Sequence, residues 1–165
     1  MDIVRLRIPY SFIRVRTPVT WRDVRFGLTN DLIASRTAVD LAIERITDPV
    51  DPLLVELAAE QVNERILDIV ERLAESEPYR SDSEIRDKWL YLVLAWLYEH
   101  RQDDPDPLQR VEEVYADFEY PERLAAFVRY MPTEGPDLGS REANERRLME
   151  RWKGYLDETA PRFAR

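Results

Sequence analysis

The sequence predicts an all-α protein: about seven helices in stacked antiparallel hairpins, closed as a bundle or a short superhelix, behind a short extended N-terminal arm. Three observations carry this. Apolar residues recur at three- and four-residue spacing along most of the chain, which is the period of a helix face. Helix-start chemistry recurs too, at Thr20, Asp51-Pro52, Asp106-Pro107 and Ser140. Strand-like alternation is confined to residues 3–15.

Residues 1–19 read as the arm. Val4, Leu6 and Ile8 alternate with Arg5 and Arg7, but Pro9 interrupts any long ladder and Pro18 stops what precedes it. Thr20-Trp-Arg-Asp23 has the form of a capped start, with Thr20 as N-cap and Asp23 at the positive end of the dipole. That helix ends near Gly27. Ser35 is the next expected cap, and Val39, Ala42, Ile43 and Ile46 form its apolar stripe.

Asp48-Pro-Val-Asp-Pro52 is a firm break, with Asp51 as N-cap and Pro52 at the first helical position. One long helix is expected to follow. Leu54, Leu57, Val62, Ile66, Ile69 and Leu73 share a face, opposite Glu56, Glu60, Glu64, Asp68 and Glu71. Asp82 or Ser83 then caps a helix containing Lys88-Trp-Leu-Tyr-Leu-Val-Leu-Ala-Trp-Leu-Tyr98. A helix apolar on every face is a core element. His100 falls at its C-terminus, where an imidazolium meets the negative end of the dipole, so a structural role is expected for it rather than general base. After the loop at Asp103–Asp106, Pro107 opens a helix through Tyr115 and Pro121 another through Arg129. Residues 132–139 form a linker-like loop. Ser140 caps the last helix, which carries Leu148, Trp152 and Tyr155, and the tail from Pro161 is expected to fray. At 165 residues, 1–165 is expected to be one helical domain.

Several chemistries are excluded by what the chain lacks. There is no cysteine, so neither disulfide nor thiolate exists. His100 is the single histidine, which rules out a His-rich metal site. Counted from Asp103, a calcium loop would need glycine at Leu108 and glutamate at Val114, so that motif fails. The four glycines form no phosphate cradle, and Gly-x-Ser-x-Gly is absent. No catalytic residue, metal ligand or cofactor site is read, and a non-enzymatic protein is expected. The N-terminus lacks a signal-peptide core, and no apolar run reaches the roughly 18 residues of a membrane span. A cytoplasmic location is the expectation.

Net charge is −9 and unevenly placed. Residues 1–36 hold seven arginines against three acids, whereas residues 37–135 hold ten basic groups against 24 acidic ones. Such a field disfavours nucleic acid and anionic membranes as partners and favours a cationic protein. The candidate contact surface is Asp103, Asp104, Asp106, Glu112, Glu113, Asp117 and Glu119, interleaved with Tyr115, Phe118 and Tyr120. In such a surface the rings supply contact area and the carboxylates steer. The rival reading is a loop whose rings plug the core beneath it.

Thr20-Trp-Arg-Asp-Val24, the run from Lys88 to Glu99, Asp106-Pro-Leu108, the stretch Val111–Glu122 and Phe127-Val-Arg-Tyr-Met-Pro132 resemble a bacterial family of small acidic helical proteins known only as a domain of unknown function. Trp152-Lys-Gly-Tyr-Leu156 fits its final helix. Members are similar in size and setting to immunity proteins of polymorphic toxin systems. The resemblance implies neutralisation of a co-encoded, cationic toxin domain. The alternative is a helical adaptor or structural interaction protein.

Overall fold

A computed structural model describes residues 6–132 and 134–164. Among them every regular element is a helix and no strand forms. It divides into two compact units, with the boundary between Ile85 and Arg86.

The first unit begins with the arm. Its residues before Leu6 lie outside the described ones. Ile8 is buried and its N–H donates to the Leu32 carbonyl at 2.8 Å. The rest of the arm is not extended as expected: α1 (Tyr10–Arg14) makes a single turn behind Pro9, with Phe12 and Ile13 buried. Burial of two neighbouring large side chains on one side of the chain suits a helical turn, whereas a strand would send them to opposite faces.

Then come α2 (Trp21–Thr29), α3 (Ser35–Arg45), α4 (Pro52–Ala59) and α5 (Asn63–Ser76). α2 packs on α5, and α3 packs on α4 and α5. The capping box at Thr20 forms in full: its hydroxyl accepts from the Asp23 N–H at 3.1 Å, and the Asp23 carboxylate accepts from the Thr20 N–H at 2.9 Å. Asp51 caps α4 through the Leu53 N–H. The apolar stripe of α3 is rotated from the expected one. Ala38, Val39, Leu41 and Ala42 are buried, while Ile43 and Ile46 are exposed.

The long helix expected from Pro52 is broken in two. Glu60 turns its carboxylate onto the next two N–H groups, of Gln61 at 2.9 Å and Val62 at 3.0 Å. Those hydrogen bonds satisfy donors that a continuous helix would have sent to carbonyls four residues back, so the side chain competes with the ladder and wins.

α6 (Asp82–Glu99) crosses the boundary. Ser81 is its cap, one residue ahead of expectation, accepting from the Glu84 N–H. Every residue from Lys88 to Ala95 is buried, as an all-round apolar helix requires. The second unit adds a 3-10 turn (Arg101–Asp103), α7 (Pro107–Asp117), a second 3-10 turn (Glu122–Phe127) where a helix was expected, and α8 (Arg141–Phe163). His100 follows α6, and its Nδ1 lies 2.8 Å from the Trp96 carbonyl. A carbonyl only accepts, so Nδ1 carries the proton there. The frayed tail is corrected. α8 runs through Pro161, and Phe163 is buried with its ring stacked 5.7 Å from that of Tyr91. The buried Phe163 ring helps to hold the last turn despite the ladder bond that Pro161 removes.

The linker-like loop is strapped to α8. Arg147 donates to the Pro136 carbonyl at 2.7 Å, Arg151 to the Glu134 carbonyl at 2.6 Å, and the Leu138 N–H to Asn144 at 3.0 Å. Thr133 lies outside the described residues. Asp137 sits below the usual carboxylate range because Asn144, and then the Gly139 N–H, hydrogen-bond to its charged form.

Candidate functional site

The acidic run folds around two arginines. Asp106 is the N-cap of α7, accepting from the Gln109 N–H, and Pro107 occupies the first helical position. Asp104 accepts from the Asp106 N–H at 2.9 Å, which tightens the approach to the helix. One turn into α7, Arg110 reaches back to Asp104 at 3.0 Å and forward to both oxygens of Glu113 at 2.6 and 2.8 Å.

Arg129 arrives from far along the chain. Its Nη1 and Nη2 bond the two oxygens of Asp106 at 3.0 and 3.1 Å, its Nε bonds Glu112 at 2.9 Å, and Glu145 of α8 lies 3.6 Å away. Both guanidinium groups are held more firmly in their charged form than usual. Glu113 is the main cause for Arg110 and Glu112 for Arg129, with Asp104 and Asp106 adding respectively. Arg141 pairs with Glu145 at 3.0 Å. Five carboxylates meet three guanidinium groups, which leaves the network two charges negative.

These pairs change the sequence reading. Asp104, Asp106, Glu112 and Glu113 do not form an open acidic patch; each already holds an arginine of the chain itself. Glu119 is exposed and pairs with Arg86 at 2.8 Å. Asp117 is half-buried, and Asp103 is exposed on the 3-10 turn. Tyr115 and Phe118 are buried, so for them the core reading holds and the contact reading is corrected. They lie three residues apart, Tyr115 in the last turn of α7 and Phe118 at its C-cap.

Tyr120 behaves differently. It is 61% exposed, and so is Tyr130 at 58%. Both rings lean on Tyr115, Tyr120 edge-on at 5.2 Å and Tyr130 tilted at 6.1 Å. The backbone that presents Tyr120 is unusual. α7 ends in a left-handed turn built without glycine, with φ of +62° at Glu119 and +59° at Tyr120. The Tyr120 N–H closes it on the Tyr115 carbonyl at 2.7 Å. Two consecutive side-chain-bearing residues in this region cost about 1–2 kcal/mol each, which the surrounding contacts must offset. The Tyr130 hydroxyl is shifted up from its ordinary range by desolvation, with Tyr115, Tyr120 and Glu112 contributing.

Sequence reasoning missed Arg110, Arg129 and Tyr130. Arg110 was findable, since it precedes Glu113 by three residues on a helix. Arg129 and Glu145 belong to other elements, and nothing local announces their meeting with α7. Beside them a cleft of about 580 Å³ is lined by Arg129, Asp137, Asn144, Glu145, Arg147 and Leu148, among others. Its charges of opposite sign are largely hydrogen-bonded to one another or to the strap. Among the described residues no three His, Asp or Glu side chains converge as a metal ion would require.

The fold and this site define an all-helical protein whose acidic segment is tied down by its own arginines and exposes two tyrosines beside it. None of its described helices is long and apolar enough to cross a membrane. The chain belongs to the bacterial family described as "Uncharacterized protein conserved in bacteria (DUF2247)", which matches residues 10–160. No curated protein and no solved structure matches it.

Proposed function

We propose that this chain is a non-enzymatic binding protein of the cytoplasm, an immunity protein that neutralises a cationic toxin domain by covering its working cleft. The observation that carries the reading is the Tyr120–Tyr130 pair. Two large rings are exposed, Tyr120 on a strained turn and Tyr130 beyond the second 3-10 turn, with buried Tyr115 as their common support. Exposed aromatics held rigid by a packed base are the usual anchors of protein interfaces, because little side-chain freedom is lost on docking.

The carboxylates play a narrower part than an open patch would. The residual negative charge of the Arg110–Arg129 network, with exposed Asp103, favours approach of a basic partner and repels polyanions. Contact itself falls to the tyrosines.

The test uses the gene neighbour. Its product, expressed alone, arrests bacterial growth, and co-expression of this chain restores growth. Tyr120→Ala with Tyr130→Ala abolishes the rescue while the protein stays folded. A harmless neighbour, or rescue that survives both substitutions, would overturn the reading.

A further inference from the structure

The first unit carries an apolar surface that its own core does not use. α4 is Pro52-Leu-Leu-Val-Glu-Leu-Ala-Ala59, apolar at every position but Glu56, yet only Leu57 is buried. A helix of that composition normally hides most of its circumference. Val55 is instead 47% exposed, and Val50 in the connection from α3 is 51% exposed. Ile43 and Ile46 are exposed at the end of α3, which packs on α4. Half of the ten large hydrophobic side chains exposed among the described residues fall within residues 43–62, so the exposure is concentrated in the α3–α4 hairpin and the joint that follows it.

The rim of this ridge is mainly acidic. Residues 43–62 contain Glu44, Asp48, Asp51, Glu56 and Glu60 against one base, Arg45, whose guanidinium is turned onto the Val19 carbonyl and the Trp21 ring; Glu44 pairs with Arg14. Two copies meeting across a two-fold axis would bring like rims together, which disfavours self-association. An apolar helix face bordered by lysine or arginine satisfies both the ridge and its rim. We infer that the α3–α4 ridge docks a cationic amphipathic helix of a partner protein. This surface is independent of the tyrosine pair, and each can fail without the other.

The test titrates the full chain with two synthetic helices of about 18 residues that share one leucine face, one with a lysine polar face and one with a glutamate polar face. The lysine helix binds and the glutamate helix does not. Val55→Ser with Ile46→Ser weakens binding by about tenfold or more. Both positions are exposed, so the circular dichroism spectrum and melting temperature stay unchanged. Asp48→Lys with Glu56→Lys weakens it as well, whereas Glu71→Lys with Glu75→Lys on α5 leaves it intact. The Tyr120→Ala, Tyr130→Ala protein binds the lysine helix as the parent does. Lysine-helix binding that is absent, or equal in all variants, overturns the inference. So does a dimer in sedimentation equilibrium that Val55→Ser dissolves, because the ridge would then serve a second copy.

Discussion

Arg129 grips Asp106 through both terminal nitrogens, at 3.0 and 3.1 Å, while one oxygen of the same carboxylate caps α7. One side chain therefore starts a helix and anchors a residue 23 positions later. Arg129→Met leaves Asp106 and Glu112 without their cation in a partly buried setting. The expected loss is about 2 kcal/mol, below the value for a fully buried pair because the site is partly wet. Asp106→Asn keeps an acceptor for the cap and costs less, about 1 kcal/mol. Denaturant melts of the two variants check the order.

The left-handed turn at the end of α7 makes an opposite kind of prediction. Glu119→Gly gives up only an exposed pair with Arg86 and relieves a conformation that glycine adopts freely. After the entropy that glycine loses on folding, a gain of about 0.5–1 kcal/mol is expected. Glu119→Val, branched at Cβ in the same conformation, destabilises by about 1–2 kcal/mol. A calorimetric scan that ranks valine above glycine would refute the strain assignment.

Tyr155 lies on α8 beside Phe127, with ring centroids 5.7 Å apart, and burial pushes its hydroxyl up to about 12. The folded state keeps this proton at a pH where the unfolded chain releases it near 10. Stability from Tyr155 is thus complete below pH 10 and is lost as pH rises towards 12, by an amount of about 2 kcal/mol. Tyr155→Phe cannot ionise, so its melting temperature falls less between pH 10 and 12 than that of the parent.

Glu60 titrates in the other direction. The N–H groups of Val62 and Gln61 hold its carboxyl below its ordinary value of 4.5. Its contribution is present above that value and is lost as pH falls through the depressed folded pKa. Glu60→Gln keeps an acceptor but does not ionise, so acid denaturation of this variant begins from a lower neutral-pH stability and shows a shallower loss. An unchanged acid limb would mean that the joint between α4 and α5 does not rest on this carboxylate.

Much of the secondary structure was legible because it rests on local chemistry. The capping box at Thr20 and Asp23, the Asp51-Pro52 and Asp106-Pro107 starts, the Ser140 cap and the buried run from Lys88 to Ala95 all depend on residues within a turn or two of one another. Errors came where a side chain competed with the backbone or where burial was set elsewhere. Glu60 broke a helix whose apolar period ran straight through it. Ile43 and Ile46 had the right spacing for a core stripe, but α4 and α5 cover the neighbouring face. Phe163 held the end of α8 together through Tyr91, which is 72 residues earlier.

The sequence by itself determined that this chain is all-helical, where most helices begin, and that negative charge gathers in its middle, because helix period, capping and composition are properties of neighbouring residues. Only the tertiary structure decided which carboxylates remain open to a partner. Arg110 and Arg129 pair with four of the seven carboxylates of the acidic run, and burial removes Tyr115 and Phe118 while leaving Tyr120 and Tyr130 in solvent. Ion pairing and burial between distant elements depend on three-dimensional proximity, which a one-dimensional pattern does not record.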